Sequence, residues 1–496
     1  MKTPNNIRFL LPVLHVTFGL MFAGTVAAQT YTILHKFNGS DGANPNGGLV
    51  LYGNSLYGTT HGGGNVAGSI SGEGNGTIFA IHTDGTGFTN LHVFTTGVFA
   101  NNFGYYNNDG AWPETSGLVL VSNMVYGTTQ FGGNVSAGTI FGVSTDGTGF
   151  RILSMFTAGG DPSNPGTNSY AIAPLGLFSS GNLLYGTGWG GGINDNGTVF
   201  AINTDGSGLA VSYNFSAYYG YGVDNSGLNS DGSGPEGVIL SGNMLYGTST
   251  EGGVTGSGTV FKVSTNGSGF TPLHSFSVNT SANGGDGAVP NCGLVLSGNT
   301  LYGTTQEAGT GENNGTLFSV NTDGTGFRVV HAFTGGADGA NPRAGLVLSR
   351  NTLYGTTYIG GKWNTGVIFA VNTDGTNFTT LYNFDSIVGD GYYPQGTLLL
   401  SSNILYGTTY EGGTNNNGVV FSLTLPVVPH LSISRPGINV ILMWPTNAVG
   451  FTLQSTTNLG AAAVWTTNSP APVVVNGQNT VTNPISGSKQ FFRLSQ

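Results

Sequence analysis

The chain has 496 residues, a formal net charge of −10 and only 7% charged side chains. Twelve cations against 22 acids exclude nucleic-acid binding as the main function, because phosphate contacts draw on Lys and Arg. The 87 glycines would suit a disordered chain, but 38% of the residues are hydrophobic and fall in short periodic runs, so there is apolar surface to bury.

The N-terminus reads as a secretory signal over residues 1–28. Lys2 and Arg8 precede an apolar run from Phe9 to Ala23, and Val26-Ala27-Ala28 offers small side chains before Gln29. The run is short for a membrane span, and no transmembrane segment is expected after signal removal. The lone Cys292 cannot form an internal disulfide, so packing alone must hold an exported fold. Cys292 lies beside a repeat strand with no companion His pattern, which predicts a buried, inert thiol.

Residues 29–425 carry one unit seven times over. Its marker is Tyr-Gly-Thr, starting at Tyr57, Tyr126, Tyr185, Tyr246, Tyr302, Tyr354 and Tyr406. Self-similarity at this period marks a repeat architecture. Each unit holds four strand-like segments: GLVL, LYGTT, GTVFAV and LHxF. Alternating apolar residues between Gly/Asn/Asp turns specify antiparallel strands. The expectation is an all-β chain whose repeats build a seven-bladed β-propeller. Only the link from LHxF to the next GLVL is long, so each blade runs from GLVL, innermost, to LHxF, outermost. Tyr31–Phe37 is then an outermost strand with no blade before it, and the last blade lacks one. Tyr31–Phe37 is predicted to complete that last blade and remove the open edges. Pairing with Leu49–Leu51 instead would overturn this register.

The string YTILHKFNGSDGANPNGGLVL at 31–51, followed by Leu56–Thr60, resembles the unit of the GloVer-repeat family of secreted bacterial proteins, also described as choice-of-anchor tandem-repeat proteins. The resemblance covers about residues 31–425. It implies fold and export, and it brings no catalytic residues. The third unit departs from it, reading SYAIAPLGL where the others carry DGAxPxxGL.

The polar residues of the unit read as construction. Asp84, Asp146, Asp205, Asp323 and Asp374 lie in T-D-G turns; Asp41, Asp109, Asp231, Asp286, Asp338 and Asp390 lie in the D-G-x-x-P crossover. Asp bonds nearby backbone N–H groups and Gly supplies positive φ. Calcium binding would want denser carboxylates. His35, His92, His274 and His331 sit in different blades, too far apart for a shared metal site. No metal cluster or cofactor motif emerges.

Function is expected where the repeat is lengthened, on the rim formed by the crossovers and the second-to-third-strand loops. The insertion at 95–113 carries Phe99, Phe103, Tyr105, Tyr106 and Trp112, and the one at 216–236 carries Tyr218, Tyr219 and Tyr221. Trp189, Tyr358, Trp363 and Tyr410 lie in second-to-third-strand loops, with Tyr392 and Tyr393 in the last crossover. Aromatic groups without basic partners suit sugar faces; packing beneath their own long loops is the alternative. Glu251, Glu307 and Glu411 each stand five residues after a repeat Tyr. The reading is a secreted or cell-surface, non-enzymatic binding or scaffold module, for polysaccharide or a cell-surface component. The alternative is a glycosidase or polysaccharide lyase using those rim carboxylates.

The repeat stops at the Pro-Val-Val-Pro linker, residues 426–430. Residues 431–496 predict a small fibronectin-like β-sandwich with Trp444 and Trp465 in its core.

Overall fold

A computed structural model describes residues 29–65, 74–100, 104–113, 117–134, 136–156, 171–221, 227–277, 285–309, 314–387, 389–426, 431–446, 451–457, 464–467, 470–484 and 490–495. The expected signal segment, residues 1–28, lies outside them. The chain divides into two compact units, Thr30–Leu425 and one containing Pro426–Gln496. All regular structure among the described residues is β, and the paired strands are antiparallel.

In the first unit the repeats form four-stranded sheets in chain order. The first comprises Val50–Tyr52, Ser55–Thr60, Thr77–His82 and Thr89–Val93. The next five begin at Val119, Ala171, Ser233, Val295 and Val347. The seventh takes Leu399–Ser401, Ile404–Thr409 and Val419–Thr424, and its fourth strand is Thr30–Lys36, which pairs with Val419–Thr424 and not with Val50–Tyr52. The third unit's divergent crossover ends in one long strand, Ala171–Ser180. The insertion at 95–113 forms a hairpin of Val98–Ala100 with Gly104–Pro113, and the latter strand also joins the second sheet.

The repeated residues explain how one sheet meets the next. The repeat Tyr packs across the junction: Tyr57 of the first sheet shares a core cluster with Val125, Phe141 and Val143 of the second. Tyr126 meets Phe200, Tyr185 meets Phe261, Tyr246 meets Phe318, and Tyr302 meets Phe369 in the same way. Tyr354 packs against the cluster of Phe421, and Tyr406 of the seventh sheet clusters with Phe79 of the first. The Gly of Tyr-Gly-Thr is the seat of the Phe within each sheet. A Cβ on Gly58 would lie 2.5 Å from the Phe79 ring, and Gly303 stands 2.6 Å from Phe318 by the same measure. Each buried Phe is worth about 1.5–3 kcal/mol, and one recurs at every junction.

The LHxF histidines and the crossover aspartates form one clasp. Nε2 of His35, His92, His274 and His331 lies 3.0, 2.9, 2.7 and 3.0 Å from Asp41, Asp109, Asp286 and Asp338. The hydroxyls of Tyr213 and Tyr382 donate to Asp231 and Asp390 instead. The same carboxylates accept backbone N–H groups just after the strand, as from Asn38 at 2.8 Å and Ser277 at 2.7 Å. The clasped ring stacks on a Phe of the next sheet's turn: His92 on Phe150 at 3.5 Å, His274 on Phe327 at 3.5 Å, Tyr213 on Phe270 at 4.2 Å. Tyr382 stacks on Tyr31 at 4.2 Å, so the N-terminal strand supplies the ring that a turn supplies elsewhere. In the third repeat Tyr170 stands at the Asp position of the D-G-x-x-P pattern, the preceding strand carries Ser154 and the following turn carries Leu209. All three letters of the clasp change together. The T-D-G aspartates work locally: Asp84 accepts the Thr86 N–H at 2.9 Å and hydroxyl at 2.7 Å, and these bonds hold its carboxyl below the usual range.

The second unit has two sheets. One runs Ser432–Ser434, Asn439–Pro445, Gln478–Pro484, Val473–Val475; the other runs Thr466–Thr467, Thr452–Thr456, Phe491–Ser495. Leu442, Trp444, Leu453 and Val481 form a cluster drawn from both. Trp465 is a correction: it is only half-buried, beneath the Arg493 guanidinium at 4.3 Å, and is not in that cluster. The central strand Gln478–Pro484 escapes sequence reading because Val481 is its only large apolar residue.

His274→Ala should destabilise the protein by about 1–3 kcal/mol, the loss of a part-buried charged hydrogen bond. Asp286→Ala should add little on top, which a double-mutant cycle in urea will show as strong coupling. At the joint of the seventh and first sheets, a Cβ on Gly418 (φ +87°) would lie 2.3 Å from the Thr409 carbonyl and 2.6 Å from Pro45 Cδ, whereas Gly53 (φ +62°) has open space. Gly53→Ala should cost about 1–2 kcal/mol from its backbone alone. Gly418→Ala should lower the melting temperature well beyond that; equal losses would contradict this joint.

Candidate functional site

The residue before each crossover proline is left-handed: Asn44, Trp112, Ala173, Gly234, Val289, Asn341 and Tyr393 have φ between 50° and 62°. Its N–H donates to the loop of the preceding sheet, as from Trp112 to Asn75 O at 3.0 Å, Val289 to Ser257 O at 3.1 Å and Tyr393 to Thr365 O at 3.0 Å. Asn44 donates to Asn417 O at 2.8 Å, linking first and seventh sheets. In four repeats its carbonyl accepts the N–H of the fourth residue after the repeat Tyr: His61, Gln306, Tyr358 and Tyr410. The glycine following each accepting carbonyl leaves room for the proline. A Cβ on Gly258 would lie 2.6 Å from Pro290 Cδ, and one on Gly366 2.9 Å from Pro394 Cδ.

Two backbone positions per repeat are therefore held while their side chains vary. Asn and Gly tolerate the left-handed region; Trp112, Val289 and Tyr393 carry about 1–2 kcal/mol of strain each. Strain kept at equivalent positions points to a use for the side chains.

These side chains gather in groups. Trp112 stands between His61 (5.1 Å, 30°) and the edge-on ring of Phe131 (5.1 Å, 89°), with Tyr410 6.4 Å from His61. Tyr358 stacks on Tyr393 at 4.7 Å and carries the Arg343 guanidinium 3.8 Å above its ring, while Tyr392 meets Tyr393 edge-on. Gln130, Ala173, Leu175, Trp189 and Glu236 line one cavity. Glu236 is shared with a second cavity of about 150 Å³, which Asn291, Arg343 and Gln395 also line. That volume suits a few waters at roughly 30 Å³ each, not an enclosed sugar.

The expected site residues separate on inspection. Trp189 is 48% exposed beside Glu236, and Trp112 is half-buried in its ring cluster. Trp363 is 44% exposed under the Lys362 ammonium at 4.5 Å. Tyr219 is 68% exposed. Tyr218 instead lies over Gly227, where a Cβ would meet its ring at 2.3 Å, and donates to Glu251 at 3.4 Å. Tyr105 and Tyr106 lie on the inserted hairpin, but their side chains are outside the described residues. Glu251, Glu307 and Glu411 belong to the fourth, fifth and seventh repeats, with backbones paired to Ser233, Ala288 and Tyr392. Burial and then Glu411 push the Tyr392 hydroxyl up. Cys292 is buried with Sγ 2.9 Å from Thr304 Oγ1, and burial pushes its thiol up. Among the described residues no three His, Cys, Asp or Glu side chains converge as metal ligands.

Arg343, Glu236, Gln130, Gln306 and Asn291 were not singled out from sequence. Their signal was present: they occupy the variable letters of D-G-x-x-P-x and the fourth place after the repeat Tyr.

Burial lowers His61 from its ordinary value of 6.5 to about 4. Below pH 6.5 the unfolded chain takes up a proton there that the folded chain refuses. The stability this residue contributes is full above pH 6.5 and is lost as pH falls toward 4. The expected outcome is one histidine titrating near pH 4 by NMR. His61→Gln should also flatten the fall in melting temperature between pH 6.5 and 4.

No curated protein matches the chain. Among solved structures, an oligogalacturonate lyase from Vibrio parahaemolyticus shares 9% identity, with 81% of this chain and 98% of that one covered and a TM-score of 0.45. A chain of a nidogen/laminin complex shares 14% identity over 55% of this chain and 82% of its own, with a TM-score of 0.33. The model of the Gloeobacter/Verrucomicrobia repeat matches residues 15–172 and 275–431. By that match, over most of its length, the chain belongs to the Gloeobacter/Verrucomicrobia repeat family.

Proposed function

We propose that this is an exported, non-enzymatic binding module whose repeats make a seven-bladed β-propeller and whose mouth binds polysaccharide or another cell-surface glycan. The propeller reading is supported by the strand Thr30–Lys36 beside Val419–Thr424 and by the cluster joining Tyr406 to Phe79. The second unit fits a small β-sandwich, since one cluster draws on both of its sheets. A role in surface attachment suits a unit outside the repeat. Residues 1–28 serve as the cleaved export signal in this reading.

The observation that carries the binding function is the set of aromatic side chains at the mouth. Trp112 and Tyr393 stand where Asn or Gly would relax the backbone, and Trp189, Tyr358 and Tyr410 occupy the fourth place after the repeat Tyr in their own repeats. Flat apolar rings beside amide and carboxyl groups match a sugar, which has an apolar face and a hydroxylated edge. Trp189 is exposed and the other rings are half-buried, and clustered apolar groups that reach the surface mark interaction sites.

A glycan array with residues 29–496 tests the reading. Binding should weaken at least tenfold in Trp189→Ala. Tyr393→Asn should weaken it similarly while the melting temperature stays within a few degrees, because Asn accepts the left-handed backbone. No glycan bound, or binding indifferent to both changes, would sink the sugar reading.

A further inference from the structure

Arg343 differs from other cations of the repeat unit. Arg151 donates to Thr204 O at 2.8 Å, Lys262 to Thr322 O at 3.1 Å, and Arg328 to Thr373 O and Asp374 O at 2.6 and 3.1 Å. Arg151 and Arg328 tie a fourth strand, and Lys262 a third strand, to a turn of the next sheet. Arg343 stands instead directly after the crossover Pro342, at the mouth, and lines the cavity that Asn291 and Gln395 share. Its Nε donates to Asn341 Oδ1 at 2.7 Å, and its plane lies over Tyr358 at 3.8 Å. Its two terminal nitrogens donate to no group among the described residues.

A stacked guanidinium presents its edge, and that edge carries paired N–H donors matched to a carboxylate. Half-buried donors without partners are costly unless a ligand or water meets them. Burial accordingly depresses the Arg343 guanidinium below its usual value, with nearby Glu307 acting the other way. Acceptors are also unspent in the same register. Asn291 donates its amide to Gln306 Oε1 at 2.6 Å while its buried Oδ1 has no partner among the described residues, and the buried Oδ1 of Asn46, directly after Pro45, likewise has none among them. The cavity thus sets a forked cation over an aromatic ring, with Asn291, Gln395 and the Glu236 carboxylate in its lining.

We propose that the mouth selects acidic saccharides, with the carboxylate of a uronate residue held by the terminal nitrogens of Arg343. This rests on the glycan-binding reading above and narrows its substrate class. The chain's net charge of −10 repels polyanions at long range. Binding of an acidic glycan therefore reports a specific contact, not diffuse attraction. Phosphate and sulfate esters can also meet a guanidinium at two points, but they are tetrahedral and bulkier than a planar carboxylate, against a cavity of about 150 Å³.

Calorimetry on residues 29–496 decides it, using a uronate hexasaccharide, its carboxyl-reduced neutral counterpart and a sulfated neutral-backbone hexasaccharide. The uronate should bind at least tenfold tighter than the other two. Arg343→Gln should bring it down to the level that the neutral sugar shows on the unaltered protein; Arg343→Lys should recover only part. Equal affinity for uronate and neutral sugars on the unaltered protein overturns this inference and leaves the glycan reading standing. Equal affinity for the sulfated sugar overturns the carboxylate assignment. Binding of none of the three to the unaltered protein overturns both readings.

Discussion

The junction between consecutive sheets is the constraint on which the rest depends. A four-stranded sheet of this size buries little by itself, because its innermost strand is as short as Val50–Tyr52 and its outermost is half-exposed. Stability comes when the repeat Tyr of one sheet covers the Phe, Val and Leu of the next, and the Phe in turn needs the bare Gly of Tyr-Gly-Thr beneath it. One repeat cannot satisfy its own residues. Each leaves a Tyr for its neighbour, which is why the unit recurs and why Thr30–Lys36 and Tyr31 stand in the last sheet where a turn and strand would otherwise be missing.

The polar residues are arranged around the same junction. The clasp of His274, Asp286 and Phe327 spans an outer strand, a crossover and the next sheet's turn. It positions the start of the crossover; the glycine–proline fit and the bond to the preceding loop position its end. With both ends held, the left-handed residue between them has little conformational choice. Its side chain is then free to vary, and rigid presentation of variable side chains is what a recognition surface needs.

Departures from the pattern separate two kinds of change. Ser154, Tyr170 and Leu209 together replace the ring, the Asp and the Phe that form the clasp in other repeats, as expected of a structural unit whose members are useless alone. Trp112 and Tyr393 depart singly, at places where the backbone is already held by other bonds, and Arg343 departs singly directly after a crossover proline. The first kind keeps the fold consistent. The second changes only what the mouth displays.

Much of the architecture was legible in the chain itself. The strand order within a repeat, the out-of-phase N-terminal strand and the structural use of the T-D-G turns follow from local periodicity and turn chemistry, which act over a few residues. The site was legible only in part. Trp112, Trp189, Tyr358 and Tyr393 stood out as aromatic residues in loops, yet sequence placed them no differently from Tyr218, which packs over Gly227. Arg343 and Glu236 looked like ordinary variable letters, and Trp465 looked like core. What decided these cases was burial and partnership between residues tens or hundreds of positions apart, such as Asn44 against Asn417 or Arg343 over Tyr358. Local pattern determines which segments become strands and turns. Which side chains meet at the mouth is settled by how the sheets pack, because those distances exist only once the junctions have formed.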